Sequence, residues 1–107
     1  MATSTPSAQV KTIVFACEAG MGSSLMGVNA LKKKLKKAGV QVQVVHVPAR
    51  GIPADAQVVV VHRGLAKVAR ERAPQAVVVA FTHFLNDPAF DALVRAFVDG
   101  ADIVQTD

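Results

Sequence analysis

The sequence predicts an α/β fold: a single domain in which a four-stranded parallel sheet carries helices on both faces. Four short apolar segments, rich in β-branched residues, are typical of strands that are buried on both faces. Amphipathic segments of helical period alternate with these strands. The chain has 107 residues, of which 51% are hydrophobic, so it is long enough for one compact core and too short for two domains.

The first half of the domain is predicted as strand, loop, helix and strand. Residues 11–16 (KTIVFA) are predicted as the first strand, and residues 17–24 (CEAGMGSS) as the loop that follows it. From Ser24, apolar residues at three- and four-residue spacing predict a helix whose opposite face is rich in lysine. Gly39 suits the end of this helix, because glycine adopts a left-handed backbone conformation at low cost. Residues 41–47 (QVQVVHV) are predicted as the second strand.

The second half continues the alternation. Residues 57–61 (QVVVV) are predicted as the third strand, residues 65–72 as a short helix and residues 76–81 (AVVVAF) as the fourth strand. The Asp-Pro pair at residues 87–88 supplies an N-cap and a first helical residue for a third helix, which ends at Gly100.

This order of elements is that of a flavodoxin-like or Rossmann-like doubly wound sheet. Right-handed crossovers bring the carboxyl ends of the parallel strands to one edge, which is where ligands bind in such sheets. Cys17, His62 and residues 82–84 each follow a predicted strand. We therefore expect them to be neighbours at this edge, although they are far apart in the sequence.

The terminal segments and the single cysteine indicate how the chain is divided and in which compartment the protein is expected. Residues 1–10 are predicted as a disordered leader, residues 11–100 as the domain and residues 101–107 as a C-terminal tail. The start of the chain lacks the basic and apolar pattern of a signal peptide, and the apolar runs are too short to cross a bilayer. A single cysteine suits a reducing compartment. The sequence therefore predicts a cytoplasmic protein.

The net charge of +4 is unevenly distributed between the two halves of the chain. Residues 1–50 carry seven basic side chains and one acidic side chain, and residues 51–107 carry five basic and seven acidic side chains. The basic half suits nucleic acid, an acidic protein surface or anionic lipid. Tyrosine and tryptophan are absent, which argues against a surface that stacks bases. A nucleic-acid-binding module is therefore the weaker interpretation. The cluster at Lys32–Lys37 is more often a solvated helix face, and it can also dock an acidic protein surface.

The loop after the first strand carries the strongest chemical signal. Gly20 and Gly22 allow successive backbone N–H groups to converge on one point, just before the N-terminus of the predicted helix. Such an N–H cradle stabilises the thiolate of Cys17 and can then hold the oxygens of a phosphoryl group bound to its sulfur. The hydroxyls of Ser23 and Ser24 can donate to those oxygens or cap the helix.

Other interpretations of this loop are weaker. A lone cysteine is often an inert core residue, but Cys17 is predicted in the loop, outside the core. A dinucleotide-binding GxGxxG motif would need glycine or alanine where Leu25 stands, and a GxxxxGK motif would need lysine where Val28 stands. Three scattered histidines and one cysteine show no metal-ligand spacing, so neither a metal nor a cofactor is expected.

Four further residues have open roles. His62 is a candidate proton shuttle or donor to phosphate, and equally a histidine that is satisfied by backbone groups at a strand end. Arg63 can neutralise phosphate or lie solvated at the surface. His46 and His83 are weak candidates, expected to be structural or exposed.

The cysteine loop resembles that of the IIB component of the bacterial sugar phosphotransferase system (PTS), in particular its mannitol-type IIB domain. The most specific segment is residues 17–27 (CEAGMGSSLMG). Four shorter segments agree with it: residues 38–39 (AG) after the lysine-rich helix, 61–65 (VHRGL), 72–76 (RAPQA) and 82–85 (THFL). The likeness covers about residues 11–100, nearly the whole domain. Where members of this family often carry aspartate after the cysteine, this chain has Glu18, which keeps the charge.

The resemblance implies a phosphotransferase that works through a phosphocysteine. Cys17 would receive phosphate from a phosphohistidine of a IIA protein and donate it to a sugar alcohol, mannitol by this likeness, bound in the membrane component IIC. The protein would then work at the inner face of the membrane through IIC. The implied phosphate-binding residues are Glu18, Ala19, Gly20, Met21, Gly22, Ser23 and Ser24, with His62 and Arg63 behind them.

The alternative is a cysteine-dependent hydrolase. The same strand-loop-helix plan resembles the low-molecular-weight tyrosine phosphatases, whose loop has the pattern Cys-x5-Arg-Ser/Thr. Here Ser23 stands at the arginine position, so the bidentate clamp on the phosphate oxygens is missing. Asp87 resembles a general acid of such enzymes but is also an ordinary N-cap. A loop without the clamp suits a carrier, in which the phosphocysteine persists until an acceptor arrives.

Overall fold

The computed structural model describes residues 4–17, 23–82 and 88–105. The described elements, in chain order, are β1 (Ser4–Pro6), β2 (Thr12–Cys17), α1 (Ser23–Lys37), β3 (Gln43–Pro48), β4 (Val58–His62), α2 (Ala66–Arg72), β5 (Val77–Phe81), α3 (Pro88–Asp99) and β6 (Asp102–Val104). Short 3-10 turns follow β1, β3 and β4. No helix in these three ranges is both long and apolar enough to cross a membrane.

The central sheet has four parallel strands in the order β3-β2-β4-β5. This confirms the predicted fold class, and each strand lies within two residues of its predicted bounds. The strands form where the sequence concentrates valine and isoleucine, whose branched side chains pack well on a sheet that is covered on both faces. Because the four strands are parallel, their carboxyl ends all lie at the same edge of the sheet.

Two separate apolar layers cover the sheet, so the helices lie on both faces as predicted. On one face, Ile13 and Phe15 of β2 pack in a cluster with residues of α1 and α3. On the other face, Val14 and Ala16 pack in a cluster with α2 and with residues of the segment between β3 and β4. The alternation follows from the two-residue period of a strand, which sends successive side chains to opposite faces.

Glycines end both α1 and α3, as the sequence predicted. Gly39 has φ 76° and Gly100 has φ 66°, a conformation that side-chain-bearing residues adopt at a cost. At the end of α1, the N–H of Val40 donates to Leu35 O and the N–H of Gly39 donates to Lys36 O. This is the Schellman pattern, which satisfies carbonyls that have no partner inside the helix.

The two ends of the chain differ from the sequence prediction of a disordered leader and a C-terminal tail outside the domain. β1 and β6 form an antiparallel pair, with Thr5 opposite Ile103. The hydroxyl of Ser7 donates to Ala96 O of α3 at 3.1 Å, across a sequence separation of 89 residues. Val10 and Ile103 are buried in the cluster that contains α1 and α3. The segment from Ser4 to Ser7 is polar and short, and it is ordered by contacts with residues at the far end of the chain. No local sequence pattern therefore predicts it.

Candidate functional site

Cys17 is the last residue of β2, at the carboxyl edge of the sheet. It lies opposite Pro48 of β3, and its side chain is only 8% exposed. The sequence placed it in the loop and outside the core, so the position is corrected by one residue and the burial is greater than expected. The alternation along β2 puts its side chain on the face that carries Ile13 and Phe15.

A histidine lies against the cysteine sulfur. The Sγ atom of Cys17 is 2.8 Å from Nε2 of His46, which is within hydrogen-bond distance. His46 lies on β3 opposite Phe15, and therefore on the same face of the sheet as Phe15 and Cys17. Its ring meets the Phe15 ring edge-on, with the centroids 6.3 Å apart. The side chain of His46 is otherwise exposed.

The sequence analysis expected His46 to be structural or exposed and did not connect it with Cys17. Its exposure was anticipated correctly, but its contact was missed. The sequence did contain a sign of this contact. His46 lies near the carboxyl end of the predicted second strand, and Cys17 directly follows the carboxyl end of the predicted first strand. Using that signal requires the strand order and the register, which only the folded structure provides.

His62 lies at the same sheet edge but holds a local turn. It ends β4, and its Nδ1 accepts a hydrogen bond from the N–H of Gly64 at 3.1 Å, which caps the 3-10 turn Arg63–Leu65. Its ring packs edge-on against Phe81, with the centroids 5.8 Å apart. These contacts favour the structural interpretation of His62. Arg63 is exposed at the start of the turn.

The predicted phosphate-binding residues fall only partly within the described ranges. Glu18, Ala19, Gly20, Met21 and Gly22 lie outside them, as do His83, Phe84 and Asp87. Ser23 and Ser24 are the first two residues of α1, which confirms the predicted position of the helix N-terminus.

Three of the predicted neighbours lie at one edge of the sheet. Cys17 ends β2, His62 ends β4 and Thr82 directly follows β5. Because these strands are parallel and adjacent, the topology brings them together as the sequence predicted. The described residues contain no group of three or more histidine, cysteine or acidic side chains that could hold a metal ion.

The arrangement can support nucleophilic chemistry at sulfur. A thiolate is a strong nucleophile, and the contact with an imidazole nitrogen provides either a proton acceptor or an N–H donor for it. The N-terminus of α1 begins six residues after Cys17 in the chain, and the positive end of a helix dipole favours anions near it. The first turn of α1 has no acidic residue that would neutralise this positive end or repel an anion, and the three lysines of the last turn match the negative end of the dipole.

Comparisons with known proteins point to one family. The family model described as "PTS system, Lactose/Cellobiose specific IIB subunit" matches residues 12–96. The "PTS system mannitol-specific EIICB component" of Geobacillus stearothermophilus is 44% identical over 88 residues, which are 82% of this chain and 19% of that protein. The "PTS system mannitol-specific EIICBA component" of Buchnera aphidicola is 37% identical over 92 residues, which are 85% of this chain and 15% of that protein. The chain thus spans less than a fifth of the length of these relatives.

A solved structure agrees on the fold. The lactose-specific IIB component domain of the phosphoenolpyruvate:carbohydrate phosphotransferase system from Streptococcus pneumoniae superposes with a TM-score of 0.52 and 17% sequence identity. The match covers 86% of this chain and 91% of that one. At this level of identity the similarity supports the fold and carries no argument about the substrate.

Proposed function

This chain belongs to the IIB family of the phosphotransferase system, and we propose that it is the phosphocarrier of a sugar phosphotransferase system, with Cys17 as the carrier residue. The observation that carries the proposal is the position of Cys17. Its sulfur lies at the carboxyl edge of a parallel sheet, at the end of the strand that precedes the N-terminus of α1. Ligands bind at this edge in doubly wound sheets, and the helix N-terminus favours a phosphoryl group there.

The proposed reaction has two transfers at phosphorus. In the first, the Cys17 thiolate attacks the phosphorus of a phosphohistidine on a IIA protein. The S–P bond forms, the P–N bond breaks, and the electron pair of that bond stays on the donor imidazole nitrogen. In the second, a hydroxyl oxygen of the sugar attacks the same phosphorus. An O–P bond forms, the S–P bond breaks, the hydroxyl proton is lost to a base, and Cys17 is released as a thiolate.

The substrate and partners are inferred from the relatives. The names of the Geobacillus and Buchnera proteins combine a B component with a C component and, in the second, with an A component. We infer that this chain works with a phosphorylated IIA and a membrane IIC, at the inner face of the membrane. The relatives that match this chain at 37% and 44% identity are both named as mannitol-specific, which supports a sugar alcohol, mannitol, as the final acceptor.

Residues 18–24 are proposed as the segment that holds the phosphoryl oxygens, through its backbone N–H groups and the two serines. A tyrosine-phosphatase-like hydrolase is not favoured. Such an enzyme needs an arginine at the position of Ser23 to clamp the phosphate. A site without that clamp suits a phosphocysteine that waits for a second protein.

The test is the intact mass of the protein after incubation with phosphoenolpyruvate, the general phosphotransfer proteins and a mannitol-type IIA. We expect a gain of one phosphate for the wild type and no gain for Cys17→Ser. Addition of membranes that contain IIC, with mannitol, should then remove the phosphate. An unphosphorylated wild type that hydrolyses an aryl phosphate would instead identify a phosphatase.

A further inference from the structure

We propose that His46 is a second catalytic residue, which takes the thiol proton of Cys17 and then donates a hydrogen bond to the resulting thiolate. The inference rests on the proposed function only for the later transfer to phosphorus. The proton transfer itself concerns two side chains of this chain and can be tested without any partner protein.

The geometry is direct, because the two reacting atoms are already in contact. Sγ of Cys17 and Nε2 of His46 are 2.8 Å apart. Proton transfer within a pair requires this kind of hydrogen-bond reach between nucleophile and base. Few side chains other than histidine can accept a proton near neutral pH and then donate it back.

The pair is held by strands and not by loops. Cys17 and His46 lie on adjacent parallel strands, β2 and β3, in a register that puts both side chains on one face. The fully buried ring of Phe15 lies opposite His46 and meets the imidazole edge-on, which limits how the imidazole can turn. A contact between residues on rigid elements is preorganised, so little rearrangement is needed before reaction.

The transfer conserves the charge of the pair. The S–H bond breaks, its electron pair stays on sulfur, and the proton forms an N–H bond at Nε2, giving a thiolate and an imidazolium. The sum of the two charges is zero before and after the step. The new N–H then points at the sulfur, and a charge-assisted hydrogen bond of this kind is stronger than a neutral one.

The other ionisable groups on the elements packed around the pair are mostly basic or histidine side chains, and on the face that carries the pair the acidic ones are Asp91 and Asp99 of α3, whose Phe90 packs against Phe15. Against β3 the basic groups are the lysines of α1, of which Lys32 and Lys36 line a surface cavity with Val42 and Val44, and Arg50 in the turn after β3. Against β2 the group is His62 of β4. Glu18 lies outside the described residues. The lysines lie toward the amino end of β3, at the opposite end of that strand from the pair, and Lys34 is paired with Asp91 at 3.0 Å, so they contribute little to the pair. Arg50 follows the carboxyl end of β3, and its positive charge favours the thiolate.

Stability alone gives little reason for the contact. His46 is exposed, so water can satisfy both of its ring nitrogens, and a thiol is a weak hydrogen-bond partner. A buried thiol with no base beside it is a poor nucleophile, because burial in apolar surroundings disfavours its thiolate. The contact therefore matters most for the reactivity of Cys17.

The experiment measures the rate at which iodoacetamide alkylates Cys17 as a function of pH, by intact mass. The proteins are the wild type, His46→Gln and Gln43→Asn. Glutamine can still donate a hydrogen bond but accepts no proton, and Gln43 is an exposed residue of the same strand with its side chain on the other face. Far-UV circular dichroism checks that each variant is folded.

We expect His46→Gln to move the alkylation profile to higher pH and to lower the rate at pH 7 several-fold. The profile of Gln43→Asn should coincide with that of the wild type. An unchanged profile in folded His46→Gln would overturn the proposal.

A second measurement does not depend on how a His46 variant folds. In the wild type and in Cys17→Ser, the ring protons of His46 are titrated by NMR. Because coupled groups affect each other reciprocally, loss of the thiolate should lower the pH midpoint of the His46 imidazole. An equal midpoint in the two proteins would overturn the proposal.

The outcomes separate this inference from the proposed function. If alkylation depends on His46 while the wild type accepts no phosphate from IIA, the Cys17–His46 pair is upheld and the phosphocarrier role fails. If the wild type accepts phosphate and His46→Gln accepts it at the same rate with the same alkylation profile, the carrier role is upheld and the inference fails.

Discussion

Truncation of Ile103 tests whether the last strand belongs to the core of the domain. Ile103 is 2% exposed and lies in the same apolar cluster as Phe90 and Leu93 of α3. Replacing a buried isoleucine with alanine usually costs about 2–5 kcal/mol of unfolding free energy. Ile103 borders a surface cavity of about 200 Å³. Water can therefore enter the vacated space, and we expect a loss of about 2–3 kcal/mol, in the lower half of that range.

The matched control is the next residue in the strand. Val104 is 60% exposed, so Val104→Ala should change the unfolding free energy by less than about 0.5 kcal/mol. Urea denaturation followed by far-UV circular dichroism is the suitable assay, because the chain has no tryptophan or tyrosine for fluorescence. The midpoint of Ile103→Ala should fall by about 1 M or more, with an unchanged slope. Two variants of equal stability would mean that residues 102–104 are not packed as described and that the tail is disordered.

Two further stability predictions use the same denaturation assay. Gly39→Ala should lower the unfolding free energy by about 1 kcal/mol, because φ is 76° there and the added Cβ meets nothing within 4 Å, so the backbone conformation is the only source of the cost. Gly51→Ala, where φ is not in the left-handed region and the added Cβ lies at ordinary contact distance from Pro48, is the control, and equal losses would contradict the argument. His62→Ala should cost about 1 kcal/mol or more through loss of the acceptor for the Gly64 N–H and of the ring contact with Phe81, and His62→Asn should restore the part that is due to the cap, since asparagine is a good cap. If the asparagine variant is no more stable than the alanine variant, the capping role assigned to His62 is wrong.

Much of the fold could be predicted because it is encoded locally. Runs such as Val58–Val61 form strands wherever a sheet is covered on both faces, and the glycines at 39 and 100 end helices through their own backbone freedom. The same is true of the approximate start of α1, which confirms the predicted helix N-terminus after Cys17. These features depend on residues within a few positions of one another.

The features that were missed depend on distant residues. The strand Ser4–Pro6 has no apolar pattern of its own, and its order comes from pairing with Asp102–Val104 at the other end of the chain. Cys17 was expected in the loop because the apolar run ends at Ala16, yet the backbone pairing continues one residue further, to Pro48. In both cases the partner strand, and not the local sequence, decides where the element begins or ends.

By itself, the sequence determined the four strands of the central sheet, the three helices and the placement of a cysteine between a strand end and a helix start. These features follow from local side-chain patterns. Only the tertiary structure decided that His46 meets Cys17, 29 residues away. The pairing of Phe15 with His46 puts both on the face that carries the Cys17 side chain. A register shifted by one residue would turn His46 to the other face and bring a valine beside Cys17 instead, because the side chains of a strand alternate with a period of two.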